Sequence, residues 1–229
     1  MPVFGIPFSR SLIDLHAAFG REAPTILEIG FGMGETTAEI AAANPDRNYI
    51  GVEVHTPGVG ALLKLVENRA LRNVRVIEHD VQEVLDHQIP DGSLTAVHIF
   101  FPDPWPKARH HKRRLIQQQF IYKLAAKLRP GGHLHLATDW PAYAEHMTAT
   151  LAATDALNLP PAAASDAHPA PSLLRPERPV TKFERRGLTL GHLIVDLIAT
   201  KPPKISSLQH SDTWQVDPAL PGSRTFESS

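Results

Sequence analysis

Cysteine is absent from this chain of 229 residues. That excludes a disulfide framework, thiolate zinc sites and a cysteine nucleophile, and it is compatible with the cytosol. No apolar run reaches the roughly 20 residues needed to span a bilayer, and the N-terminus lacks the basic-then-apolar layout of a signal peptide. The expectation is a soluble cytoplasmic protein with no membrane partner. An excess of one charge is also missing. The formal net charge is -1, so no global field draws the chain to nucleic acid, and any such attraction has to come from a local cluster. No internal repeat is present. The length suits one large α/β domain without a second core. We expect a single domain over residues 1–200 and a polar, loosely attached tail over 201–229, where turn residues gather.

The most informative stretch is Phe100-Phe101-Pro102-Asp103-Pro104-Trp105-Pro106-Lys107. It follows an apolar run, Leu94 to Phe101, that reads as a buried strand. It precedes a basic run, Arg109-His110-His111-Lys112-Arg113-Arg114. Each proline fixes its own φ and pushes the preceding residue towards extended geometry, so the segment is stiff. Such a loop can hold one carboxylate, Asp103, and one aromatic, Trp105, in a fixed place. Cations on the next element can collect an anionic polymer beside it. The combination points to an enzyme acting on nucleic acid.

Apolar runs alternate with helical patterns along the first 150 residues or so, the signature of a mostly parallel sheet with helices on both faces. Strands are expected at 25–29, 48–54, 74–78, 94–101, 133–137 and 191–199. Helices are expected at 35–43, 58–71, 81–87, 111–128 and 141–151. Pro130-Gly131-Gly132 reads as the terminator of the long helix. Residues 160–179, rich in Ala, Pro and Ser, read as an irregular excursion.

Gly30-Phe31-Gly32-Met33-Gly34 lies between the first strand and the first predicted helix. Glycines there permit a tight turn and let a ligand approach the backbone. Three carboxylates fall at the same sheet end. Glu28 precedes the glycines. Glu53 closes the second strand about 20 residues past the turn, where a carboxylate can accept both ribose hydroxyls. Asp80 closes the third, where it can also serve as a plain helix cap. The spacing is G-x-G-x-G, and Glu35 stands where a dinucleotide fingerprint wants its last glycine. An acid there opposes a pyrophosphate but tolerates S-adenosylmethionine, which has no phosphate and carries a sulfonium cation. S-adenosylmethionine is therefore favoured over NAD.

These motifs together resemble the bacterial tRNA (guanine-N7)-methyltransferase family. The resemblance rests on Leu27 to Gly34, Gly51 to Gly60, the Phe-Phe-Pro-Asp-Pro-Trp segment, Ala137-Thr138-Asp139-Trp140 and Arg178 to Gly187, in order from about Val3 to Ala199. It implies a Rossmann-like class I methyltransferase fold with a seven-stranded sheet, and a guanosine of the tRNA variable loop as substrate. By position, Glu28, Gly30, Gly32, Gly34, Glu53, Asp80 and Asp103 would line the S-adenosylmethionine pocket, with Asp103 also catalytic. Lys107, Asp139, Thr181, Lys182, Phe183 and Glu184 would contact the substrate. Arg109, Lys112, Arg113 and Arg114 would hold RNA. The resemblance departs at both ends. A basic arm that family members carry ahead of the position of Val3 is not in this sequence, and the tail past Lys201 matches none of the family's motifs. No obligatory protein partner is implied, and either a monomer or a homodimer is compatible.

Guanine N7 has a lone pair and no proton, so its methylation needs no obligatory base. The task is to align donor and acceptor and to stabilise charge appearing on the purine. Asp103 suits both jobs. Bland readings stand beside these: Trp105 and Trp140 as packing residues, Asp139 as a helix cap, the basic run as a solvated helix face. A metal site on His133 and His135 lacks an evident third ligand, and no metal is expected. The competing functional readings are a methyltransferase acting on another RNA, a protein or a small molecule, an RNA-binding scaffold with a vestigial pocket, and an NAD-dependent oxidoreductase.

Overall fold

The computed structural model describes residues 4–160, 179–180, 184–185, 189, 191 and 193–203. The strands are β1 (Thr25–Ile29), β2 (Asn48–Glu53), β3 (Val74–Glu78), β4 (Leu94–Phe100), β5 (Leu128–Thr138) and β6 (Val195–Thr200). The helices are α1 (Leu15–Phe19), α2 (Glu35–Ala43), α3 (Thr56–Asn68), α4 (Val81–His87), α5 (Gln118–Lys127) and α6 (Pro141–Ala152), with a 3-10 helix over Ala108–Arg113.

The strands form one sheet in the order β3-β2-β1-β4-β5-β6, parallel except for β6, which runs antiparallel to β5. β1 is buried throughout, as expected for a parallel strand covered on both faces. On one face α2 and α3 set Ala38, Ile40, Leu62 and Val66 against Ile26, Tyr49, Val74 and Val76. On the other, Leu85 of α4, Phe120 and Leu124 of α5, and Met147 and Leu151 of α6 close over Leu27, Ile50, Val97 and Leu134. Each such fully buried Leu, Ile or Phe contributes roughly 1.5–3 kcal/mol.

Six strands rather than seven are present among the described residues. On the side of β6 away from β5, Asn158 makes one antiparallel bridge to Thr200, with N–H to carbonyl distances of 2.8 and 2.9 Å. Of the tail, only Lys201 to Pro203 fall within the described residues.

The expected helix over 111–128 is two elements. The basic run forms the 3-10 helix, Arg114 turns extended at φ -57°, ψ 133°, and α5 begins only at Gln118. The Gln117 side chain donates to the carbonyls of His111 and Arg114 at 3.2 and 3.3 Å, which satisfies the interrupted backbone.

Pro130-Gly131-Gly132 does not separate helix from strand. It lies inside β5, where the pairing with β4 slips between Leu94 and Ala96. Gly131 takes φ 76°, the left-handed turn that such a bulge uses. At the other end of the ladder, the strand expected from Gly191 begins only at Val195.

The five-residue helix α1 carries no periodic signal in the sequence. Asp14 caps it by accepting from Ala17 N at 2.9 Å, and Gly20 ends it.

Candidate active site

The glycine turn after β1 and the proline-rich loop after β4 leave adjacent strands of a parallel sheet. In open α/β sheets ligands bind beyond the carboxyl ends of the strands, near the point where strand order reverses. Both loops stand there.

Gly30, Gly32 and Gly34 all have positive φ, at 73°, 58° and 76°. Gly34 could not be replaced without strain, because a Cβ there would overlap the side chain of Leu62 on α3. Gly58 is equally constrained. A Cβ on it would overlap the carbonyl oxygen of Gly32, so the first turn of α3 sits directly against the glycine turn.

Glu53 ties this arrangement together. Its Oε2 accepts the Gly32 N–H at 2.9 Å, and its Oε1 accepts the N–H groups of Val54 at 2.8 Å and His55 at 3.1 Å. A carboxylate offers about four acceptor positions, so one direction remains for a ligand hydroxyl. Asp80 caps α4, accepting from Gln82 N at 2.7 Å, and stays exposed at the end of β3. The helix-cap reading is therefore observed, at the sheet end where the pocket was expected.

Glu28 is 3% exposed, and its Oε2 has no hydrogen-bond partner among the described residues. Burial pushes its carboxyl from 4.5 up to about 7, and the nearby Thr37 hydroxyl offsets only part of that. Thr37 Oγ1 is itself left without a well-formed hydrogen bond, so its help is weak.

These groups fit S-adenosylmethionine. Gly30 and Gly32 have open space where side chains would stand, a cradle for a ligand lying on the backbone. An orphaned buried carboxyl lies beside that cradle, which suits a cation and opposes a phosphate. Among the described residues no group of three or more His, Cys, Asp or Glu side chains could hold a metal ion.

The loop after β4 is held under strain. Phe101 and Trp105 adopt φ of 52° and 44°, the left-handed region that bulky residues avoid, at a cost of order 1–3 kcal/mol each. Several contacts over-determine the loop. The Phe101 N–H donates to the Ala137 carbonyl at 2.8 Å. Arg114 is 3% exposed and donates from Nε to the Pro104 carbonyl at 2.9 Å, with its guanidinium 4.8 Å from the Tyr143 ring. The Arg113 guanidinium lies 5.1 Å from the Trp105 ring, and His110 meets that ring edge-on. Asp103 is presented to solvent at the apex. Burial pushes the Tyr143 phenol up. Arg114 opposes that and Asp103 adds to it, so the field of Asp103 reaches the Arg114–Tyr143 pair.

Arg114 therefore departs from its expected role. It is an internal brace of the loop, with no face to offer a polymer. Arg109, Lys112, Arg113 and Lys107 are exposed and remain available to one. Trp140 packs against the core, and Trp105 is covered by Arg113 and His110. Asp139 follows Thr138 at the end of β5, one residue ahead of the N-cap position of α6. The N-cap position is Trp140, whose N–H is taken by Thr138 Oγ1 at 3.2 Å. Glu184 is 1% exposed. Thr181, Lys182 and Phe183 lie outside the described residues.

Residues 22–197 match the family described as "Putative methyltransferase". A tRNA (guanine-N(7)-)-methyltransferase from Nitrosomonas eutropha is 54% identical over 201 residues, 88% of this chain and 87% of the relative. The Burkholderia vietnamiensis enzyme of the same name is 56% identical over 200 residues, 87% of this chain and 76% of the relative. The chain belongs to the tRNA (guanine-N7)-methyltransferase family. Among solved structures, the 16S rRNA methyltransferase KamB superposes with a TM-score of 0.53 at 14% identity, covering 82% of this chain and 94% of that one. An rRNA methylase from Streptococcus thermophilus gives 0.51 at 12% identity, with 79% and 87% covered. Those two establish the class I methyltransferase fold for this family member and nothing further.

Two structural features of the site escaped the sequence. The inward turn of Arg114 is hidden inside a basic run. Tyr143, which stacks on Arg114 and accepts from the Ile116 N–H at 3.3 Å, looks like any core aromatic of a helix.

Proposed function

We propose that this protein transfers a methyl group from S-adenosylmethionine to N7 of a guanine in the variable loop of tRNA. The observation that carries the reading is its 54% identity, over 88% of its length, to an enzyme named for that reaction. The site geometry is consistent with it: a cradle for a cationic nucleoside after β1 and a fixed carboxylate after β4, on neighbouring strands.

S-adenosylmethionine, when bound, supplies an electrophilic methyl group on its sulfonium. Gly30, Gly32 and Gly34 give it a backbone surface, Glu28 gives the counter-charge, and Glu53 and Asp80 offer acceptors at the ends of β2 and β3. Asp103 accepts from the guanine N1–H or amino edge, directly or through water. As N7 is alkylated the purine becomes cationic, and the Asp103 carboxylate stabilises that charge without taking a proton. Its contribution depends on being held in place beforehand, the task of Arg114 and of the prolines around it. Lys107, Asp139, Glu184 and the Thr181 to Phe183 segment are assigned to the substrate nucleotide. Arg109, Lys112 and Arg113 are assigned to tRNA phosphates. A tRNA substrate implies a cytoplasmic enzyme. Among the described residues no helix is long and apolar enough to cross a membrane.

The test is incubation with methyl-labelled S-adenosylmethionine and unmodified bulk tRNA, then digestion to nucleosides. Label in 7-methylguanosine supports the reading. Label in another nucleoside, or only with a small acceptor, replaces it.

A further inference from the structure

The N-terminal segment holds the outer edge of the sheet at β3. Val76 donates its N–H to the Phe4 carbonyl at 2.9 Å, and its carbonyl accepts the Ile6 N–H at 2.8 Å, a parallel bridge centred on Gly5. The segment is tied again to Gln88, at the end of α4. The Gln88 side chain donates to the Pro7 carbonyl at 3.0 Å, and the Gln88 carbonyl accepts the Ile13 N–H at 2.9 Å.

Between these ties the Phe8 ring lies flat on the His79 ring, with centroids 3.7 Å apart and planes 9° apart. His79 Nε2 is hydrogen-bonded to Glu83 Oε2 in the first turn of α4. A carboxylate only accepts, so Nε2 carries a hydrogen. Arg10 lies 3.7 Å from the other Glu83 oxygen, but both side chains are well exposed and that pair adds little.

The backbone of His79 stands between two carboxylates of the donor site. Its N–H donates to the Glu53 carbonyl at 3.2 Å, one step past the Glu53–Glu78 register pair, and the next residue is Asp80. Glu78 is tied separately, by the hydroxyl of Thr56 at the start of α3. β3 is the edge strand of the sheet, and among the described residues the bridge at Gly5 is all that pairs with its outer side. A rigid nucleoside that spans Glu53 and Asp80 needs both acceptors at one separation. Any looseness between the two strand ends has to be removed on binding, which weakens affinity.

We propose that Phe8 and His79 are positioning residues for the methyl donor. Residues 4–13 clamp the His79 ring against α4, and the clamp fixes the separation of Glu53 and Asp80. Neither ring needs to touch the donor. The effect falls on donor binding and leaves the transfer step, governed by the loop after β4, unaltered. The inference rests on the cofactor reading of the site.

The test is calorimetric titration with S-adenosylmethionine, paired with single-turnover methylation of unmodified tRNA at saturating donor. His79→Ala is expected to raise the dissociation constant about tenfold and to leave the saturated single-turnover rate within about twofold of wild type. Phe8→Ala is expected to act in the same direction, and it carries the test if the His79 variant does not fold. Phe8→Tyr, which keeps the stacked ring, is expected to restore the affinity that Phe8→Ala loses. Phe8→Ala added to His79→Ala is expected to weaken binding little further, because Phe8 acts through that ring. Unchanged donor affinity in folded His79→Ala and Phe8→Ala, or losses that add in full in the double variant, overturns the inference while leaving the cofactor site standing. Failure of wild type to bind the donor overturns both.

Discussion

Arg114 Nε donates to the Pro104 carbonyl at 2.9 Å from a buried position, one residue away from Asp103. The guanidinium also faces the Tyr143 ring, so one side chain joins the loop after β4 to α6. Lysine cannot reproduce a planar donor stacked on a ring. Arg114→Lys should therefore lower the single-turnover rate by more than it raises the dissociation constant for S-adenosylmethionine. It should also cost about 2–4 kcal/mol of stability, because a part-buried carbonyl and a buried ring lose their partner. Rapid-quench kinetics and urea unfolding on the same preparation check both halves.

Glu28 sets a pH dependence of stability. Its carboxyl is raised from 4.5 to about 7 by burial, so the folded state holds a proton that the unfolded chain has already lost in that window. The associated stability is complete below about pH 4.5 and is lost as pH rises through about 7, amounting to roughly 3 kcal/mol. Glu28→Gln keeps the neutral form at all pH. It should be more stable than wild type at pH 8, about equal at pH 4.5, and unable to bind S-adenosylmethionine with wild-type affinity. Denaturant unfolding at the two pH values reads the first effect and calorimetry the second.

Gly58 shows how closely helix and turn approach. A methyl group at this position would overlap the Gly32 carbonyl, and that residue's N–H is held by Glu53. Gly58→Ala should displace the turn, costing about 1–3 kcal/mol, and raise the dissociation constant for S-adenosylmethionine. Gly60→Ala, in the same helix with open space around it, is the control and should bind normally.

Much of the fold was legible because parallel strands buried on both faces are continuous apolar runs. β1 and β3 fall where Thr25–Ile29 and Val74–Glu78 predict, and β2 and β4 each end one residue earlier than expected. The glycine turn and the strand-end positions of Glu53 and Asp80 were legible from spacing alone. Arg114 was not. Helical periodicity carries straight through it, and only a partner ten residues upstream, the Pro104 carbonyl, turns the backbone extended. The bulge at Gly131 was misread for a similar reason. Pro-Gly-Gly signals a stop locally, and only pairing with β4 turns it into a kink inside a strand.

The exposed cations of the 3-10 helix predict a salt effect. Arg109→Glu and Arg113→Glu should each weaken tRNA binding and lower the slope of log affinity against log salt. The expected decrement is about 0.7–0.9 for each phosphate no longer neutralised. Affinity for S-adenosylmethionine alone should be unchanged. Filter binding across a salt series checks the slope.

Methyl transfer turns on a rigid carboxylate acting after both substrates are bound. Asp103→Ala, saturated with S-adenosylmethionine and unmodified tRNA and followed by rapid quench, measures that step directly. The predicted result is a fall of about 10²–10³-fold in the single-turnover rate of 7-methylguanosine formation, with donor affinity within a few-fold of wild type. A near-normal single-turnover rate would contradict the account.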